Sequence, residues 1–485
     1  MTFHPSMPEP AILAPPPASG PRYSLWRSGA VAMDVLSGSR ATPAEIAHRQ
    51  SRRLRDLLAS VVHESPLYRD LLQGLPPNAA LQDLPVVTKP WLMERFGDWV
   101  ADPRLKLHEL QAFTADPARI GAPYLDDYVI WESSGSIGDP GVFVLDPHTL
   151  AVYDALESLR RAPMNTWRRA FDPMCLCERM AFVGAASGHF ASTVSVERMR
   201  RLNPWMRAGM KSISFLQPVQ HLVDELNAFS PTIVATYPTA AVLLAEQAQL
   251  GALRISPQEI LTGGESLTPS MRRFVHEAFD CPVRNSYGAS EFLPMAWECR
   301  HGSLHVNADW VILEAVDEKL RPVPAGQPSH TTLLTNLANH TQPLIRYDLG
   351  DSITFFDEPC ACGSPLPVVS VQGRLDDALV MRGTSGKKVR LLPLALTTVV
   401  EDDAGVFDFQ LIQHGEHRLH LRVGMTGEQG RDALERCRAV LRPYLREQGL
   451  DGVTLVAEAN KPLLRGRSGK VQRVVANESR AADTR

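Results

Sequence analysis

Two nearby stretches bring together residues that could do chemistry: Leu261-Thr-Gly-Gly-Glu-Ser-Leu-Thr268 and Asn285-Ser-Tyr-Gly-Ala-Ser-Glu291. Gly263 and Gly264 let the main chain approach a flat ligand more closely than any residue with a side chain could. Tyr287 offers a ring that stacks on a purine, and Glu291 offers hard oxygen to a divalent cation. Together they point to an adenine nucleotide with magnesium. Glycine-rich turns punctuate most proteins, so the reading gains weight only if further segments join it.

Four such segments occur. Glu132-Ser-Ser-Gly-Ser-Ile-Gly-Asp-Pro-Gly141 exposes successive N–H groups that can cradle phosphate oxygens, although no Gly-Lys-[Ser/Thr] closes it as in a Walker loop. Taken alone it reads equally well as a hairpin turn. Arg346-Tyr-Asp-Leu-Gly-Asp351 ends in a carboxylate suited to a ribose diol, or to an ordinary strand-ending turn. Gly373-Arg-Leu-Asp-Asp377 offers a cation and a carboxylate where the character of the chain changes. Leu464-Arg-Gly-Arg-Ser-Gly-Lys-Val-Gln-Arg473 presents Lys470 between glycines, as a charge stabiliser or as a basic surface loop.

The elements that must position these residues follow from periodicity. Residues 43–73 read as one amphipathic helix, with Leu54, Leu57, Leu58, Val61 and Val62 at helical spacing. Tyr128 to Leu145 reads as strand, turn and strand. Short buried strands at 232–236 and 256–261 alternate with helices, which indicates an α/β core. Past Gly373, period-2 strands at 407–413 and 418–423, a helix at 428–447 and a strand at 453–457 make a small α+β unit. The expected division is a disordered Pro-rich leader at 1–20, a large multi-layer α/β domain at 21–373 and a small mobile lid at 374–485. A chain of 485 residues is long enough for this, since single cores seldom grow past ~250–300 residues. The net charge of -4 gives no global attraction to nucleic acid. No apolar run reaches the ~20 residues that span a bilayer. An odd count of seven cysteines fits a reducing compartment, with the cytoplasm as the expectation.

In this order, the six segments resemble the motifs of the adenylate-forming superfamily, and most closely the phenylacetate–CoA ligase family. Ser65-Pro-Leu-Tyr-Arg69, Leu84-Pro-Val-Val-Thr-Lys89 and Cys281-Pro-Val-Arg-Asn-Ser-Tyr-Gly288 extend the likeness to about residues 50–476. The resemblance implies that Ser133, Ser134, Gly135, Ser136 and Gly138 form a triphosphate loop. Gly264, Glu265 and Ser266 would line the adenine, with Tyr287 packed on it beside Gly288. Glu291 would hold magnesium, Asp351 the ribose hydroxyls and Arg374 the ribose–phosphate side. Asp376 would be the hinge, and Lys470 the catalytic cation of adenylation. The implied reaction activates a carboxylic acid, aromatic or arylacetic, with ATP and then passes the acyl group to CoA. A homodimer is also implied.

The sequence departs from that pattern in three places. Ile137 and Asp139 stand where the phosphate loop usually has a hydroxyl and a lysine. Leu349 replaces a threonine. Met381-Arg-Gly-Thr-Ser-Gly-Lys-Lys-Val-Arg390 lacks the Gly-x-Asn that normally follows the hinge. The last departure leaves a carrier protein or an amine as an alternative acceptor. The first leaves room for a catalytically weakened nucleotide-binding homologue. Cys299, His305, Cys360 and Cys362 could close a tetrahedral structural zinc site, with His301 as a competing fourth ligand. Phe190, Tyr237 and Pro238 are candidates for the acyl pocket, and the two aromatics read equally well as core.

Overall fold

The computed structural model describes residues 25–75, 79–133, 140–160, 178–184, 186, 188–202, 206–215, 217–374, 379–384, 386, 388–391, 393–458, 461–464 and 473–476. Its amino-terminal part is helical. Leu25–Gly38 is followed by Pro43–Glu64, whose start is fixed by a capping box between Thr42 and Glu45. Such caps contribute ~1 kcal/mol. The single helix expected over 43–73 is two. Ser65-Pro66 interrupts it because proline cannot donate to the ladder and bars the residue before it from helical geometry. Ser65 then caps the second helix, Pro66–Leu72, by accepting from Tyr68 N–H.

Strands β1 (Val129–Glu132) and β2 (Val142–Leu145) form an antiparallel hairpin. Next come β3 (Met180–Gly184), β4 (Met210–Ser214), β5 (Ile233–Thr236), β6 (Glu259–Gly263), β7 (Val283–Ala289), β8 (Phe292–Glu298) and β9 (Leu304–Val306). A three-stranded sheet is built from β10 (Val311–Val316), β11 (Thr331–Asn336) and β12 (Tyr347–Asp348). With β13 (Asp351–Phe356) and β14 (Val368–Arg374), the main sheet has nine strands in the order β13-β14-β9-β8-β7-β6-β5-β3-β4. The side from β4 to β7 is parallel and the rest antiparallel. The helices Val219–Phe229, Pro238–Gln249 and Pro269–Phe279 supply Leu222, Ala241 and Met271 to the core on the parallel side.

The carboxy-terminal part has a core made only of its own residues, from Leu379 to Val474. It opens with a hairpin of β15 (Leu379–Arg382) and β16 (Lys388–Leu391). A four-stranded sheet follows in the order β19-β18-β17-β20, from β17 (Phe409–His414), β18 (Arg418–Val423), β19 (Thr454–Glu458) and β20 (Val474–Val475). Leu411, Leu419 and Leu421 pack on Leu434, Leu441 and Leu445 of the helix Gly427–Glu447. The fold is the expected α/β one, with a large N-terminal and a small C-terminal domain. Among the described residues no helix is long and apolar enough to cross a membrane.

Candidate functional site

Parallel strands carry ligands at their carboxyl ends, and best where the strand order reverses. The chain leaves β3 for β4 on one side and enters β5 on the other, so the reversal falls between β3 and β5. Phe190 lies just past β3 and Tyr237 directly past β5. Both rings are buried, and Tyr237 meets Phe215 edge to face at 5.7 Å. Pro238 starts the next helix, whose first turn holds Glu265: its carboxylate accepts from the N–H and hydroxyl of Thr239, at 3.2 and 2.8 Å. This bond joins the candidate acyl pocket to the candidate adenine turn.

The turn leaves β6 through Gly264, whose φ of +74° is a conformation favoured by glycine. Gly263 pairs with Ser286, so the turn lies beside β7. At Gly288 a Cβ would come 1.8 Å from the Leu293 carbonyl oxygen, so β7 and β8 approach there at a distance only glycine allows. The Tyr287 hydroxyl donates to Asp351 Oδ2 at 2.8 Å. Asp351 is the cross-strand partner of Arg374, whose side chain lies outside the described atoms. Ser266 Oγ lies close by Gly373. Residues read from four separate motifs therefore share one strand-end region.

Glu291 sits in the turn between β7 and β8. The Tyr347 hydroxyl donates to its Oε1 at 2.7 Å, and Asn336 donates to its main-chain oxygen at 3.1 Å. Ser133 closes the base of the β1–β2 hairpin: its N–H donates to Gly141 O, and its hydroxyl accepts from Gly141 N–H. Trp131 donates to Ser290 O, which brings that base against the residue preceding Glu291. Phe190 bridges Glu132 on the other side. Burial depresses the pKa of the neighbouring His189 imidazole, which packs edge-on to Phe113 at 5.7 Å. Ser134, Gly135, Ser136, Ile137, Gly138, Asp139, Asp376 and Lys470 lie outside the described residues.

Several positioning residues were not picked out from sequence. Tyr347 and Asn336 hold Glu291. Arg346, at a φ of +50°, reaches the carbonyls of Gln82 and Leu84, while Val87 pairs with Tyr347. Tyr68 accepts from Ile345 N–H at 3.1 Å. The Ser65–Arg69 and Leu84–Lys89 stretches thus brace the segment that delivers Asp351. Tyr347 lies inside a quoted motif, but nothing in its spacing pointed to Glu291.

A second cluster lies at the other end of β13 and β14. Donor atoms of Cys299, His305, Cys360 and Cys362 lie within 4.8 Å of one another. Cys299 Sγ is 3.7 Å from Cys360 Sγ, close to the ~3.8 Å that Zn–S bonds of ~2.3 Å impose at a tetrahedral ion. His305 Nδ1 lies 2.9 Å from Leu366 O, which favours a proton there and leaves Nε2 facing Cys362 Sγ at 3.2 Å. The N–H groups of His301 and Ser364 donate to Cys299 and Cys362 sulfur, both at 3.4 Å. The N–H of Cys362 draws the Cys360 thiol down to about 6. The donor set fits a closed structural zinc. His305 lies within it, whereas exposed His301 accepts from Arg300 instead.

Residues 194–330 match the AMP-binding enzyme family, and the chain has the fold of the adenylate-forming ligases. Over 142 residues it is 29% identical to the protein CapK of Staphylococcus aureus; the match covers 29% of this chain and 30% of CapK, less than a third of that relative's length. The fold is similar to that of 2-hydroxyisobutyryl-CoA ligase in its postadenylation state, with a TM-score of 0.66, 19% identity and coverage of 98% of this chain and 96% of that one. For the same ligase with 2-HIB-AMP and CoA in the thioesterification state the TM-score is 0.52 at 20% identity, with 92% of each chain covered.

Proposed function

We propose that this chain activates a carboxylic acid with ATP and transfers the acyl group to CoA. The observation that carries the reading is the bond from Tyr287 to Asp351 beside Ser266 and Gly373, with Glu291 held close by through Tyr347. Gly264 and Ser266 line the base and Tyr287 packs on it. Asp351 accepts from the ribose hydroxyls, and Glu291 binds the magnesium that travels with the triphosphate. A carboxylate oxygen of the acid attacks the α-phosphorus, pyrophosphate departs, and an acyl-adenylate forms. The thiol of CoA then attacks the acyl carbon and AMP leaves. Lys470 neutralises charge in the first step, Arg374 binds the ribose–phosphate side, and Asp376 is the pivot.

Phe190, Tyr237 and Pro238 around the strand-order reversal support a flat acid, aromatic or arylacetic, as in the phenylacetate–CoA ligases. The solved 2-hydroxyisobutyryl-CoA ligase with an acyl-adenylate and CoA supports the thioester product. The alternative acceptor, a carrier protein or an amine, is favoured by one observation. The β15–β16 hairpin lacks Gly-x-Asn, and its Arg382 and Lys388 are both engaged by Glu416. The cysteine and histidine cluster is assigned to zinc, and Cys281 and Cys437, in no disulfide among the described residues, support a cytoplasmic setting.

A panel of carboxylic acids assayed for pyrophosphate release, with and without CoA, tests the reading. Release that depends on an aromatic acid, with thioester appearing when CoA is added, is expected. Acid-dependent release with no thioester would move the acceptor to a carrier or amine, and silence with every acid would end the proposal. Lys470→Ala is expected to slow release by ~10²–10³, the effect of losing one preorganised charge donor.

A further inference from the structure

The two domains meet at one buried carboxylate. Glu401 lies in the π-helical turn Val399–Asp403, and its side chain is fully buried. It accepts from the Thr268 hydroxyl on one side and from the Arg473 guanidinium on the other. Arg473 also reaches Met271 Sδ at 3.3 Å. Thr268 caps the helix Pro269–Phe279 and follows Ser266, the last residue of the nucleotide turn, by two positions. Arg473 follows Lys470 by three and leads directly into β20. One carboxylate thus ties the end of the nucleotide turn to the end of the glycine-rich basic segment.

Apolar packing accompanies the carboxylate at this boundary. Phe274 of the capped helix packs on Phe407 at 5.3 Å, an apolar contact across the same boundary. Burial, with the charge of Asp408 second, raises the pKa of the Glu246 carboxyl. A buried carboxylate that keeps both partners is tolerated, whereas separating it from one leaves a costly orphan. The π-turn widens the helix where the carboxylate must reach two donors on different elements.

We propose that Glu401 is a positioning residue that clamps Arg473, at the start of β20, onto the end of the nucleotide turn and so holds the protein in its acid-activating arrangement. The assignment rests on the function proposed above. On that reading the clamp serves adenylation alone, because thioester formation needs no contribution from Lys470.

The test compares Thr268→Val, Thr268→Ser and Glu401→Gln with the wild-type protein. Thr268→Val removes the hydroxyl yet leaves Glu401 paired with Arg473, and Thr268→Ser restores the donor. Two readouts are needed: amide hydrogen exchange by mass spectrometry, and the two half-reactions. Pyrophosphate release is measured with the best acid of the panel, and CoA transfer with the chemically prepared adenylate of that acid. Thr268→Val and Glu401→Gln are expected to raise exchange at 399–403 as well as 269–279. They should cut pyrophosphate release about tenfold or more, as for a hydrogen bond to a charged group, and leave CoA transfer at the wild-type rate. Thr268→Ser is expected to recover both. Faster exchange confined to 269–279 would reveal a lost helix cap and no clamp, and equal losses in both half-reactions would also overturn the idea. If the wild-type protein releases no pyrophosphate with any acid, the functional reading fails, and exchange at 399–403 alone still decides whether the joint exists.

Discussion

Asp351 is oriented before any ligand arrives, because the Tyr287 hydroxyl donates to its Oδ2. Hydrogen bonds to charged groups are worth ~1.5–3 kcal/mol, so Tyr287→Phe should weaken ATP binding about tenfold while the ring still stacks. Calorimetric titration with ATP is the measurement, and an unchanged Kd would dismiss the pairing as incidental. Glu291 shows where residue-level reading stops. Its carboxylate was expected to hold a cation, and the Tyr347 that holds it in place stands 56 positions away in the chain. Sequence spacing carries no signal for such a contact. Glu265 makes a similar point. It was read as lining adenine, and the structure shows its carboxylate committed at least in part to Thr239.

Among the elements, the period-2 strands were legible because alternate residues face one core: Leu411, Leu419 and Leu421 join the apolar cluster while His420 and Arg422 lie on the other face with Glu458. The strands β10 and β11 were missed. They are buried on both faces over most of their length, so alternation disappears and only a short apolar run remains. On the outer face of the small sheet, Glu458 meets Lys461, Arg422 and His420. Burial pushes its pKa up, but these bonds outweigh burial and bring it to about 2, from an ordinary 4.5. A depressed carboxylate stabilises the fold above pH ~4.5 and loses that contribution as pH falls toward 2. The thermal midpoint of the wild-type protein should therefore fall more between pH 5 and 3 than that of Glu458→Gln; parallel curves would refute this. The cysteine and histidine cluster ties the turn after β8 to the turn between β13 and β14, whose opposite ends carry Asp351 and Arg374. Freshly purified protein is expected to hold one zinc, and chelation should lower the thermal midpoint, as should Cys362→Ser. Elemental analysis without zinc would remove the assignment.

At the scale of the whole molecule, the α/β class and the order of the motifs could be read from sequence, because each motif is local. Their convergence could not, since it depends on which strands neighbour each other. The main sheet runs from Met180 to Arg374, and the segments near Ser65 and Leu84 brace the three-stranded sheet at Ile345 and Tyr347 through Tyr68 and Val87. That continuity has a practical consequence for anyone cutting the gene into pieces. A fragment limited to 194–330 would strip β4 and β5 of β3, β9 of β14 and β10 of β11, leaving raw strand borders with unmet main-chain donors and acceptors. Such borders recruit other copies, so the excised piece should come out of expression as insoluble aggregate.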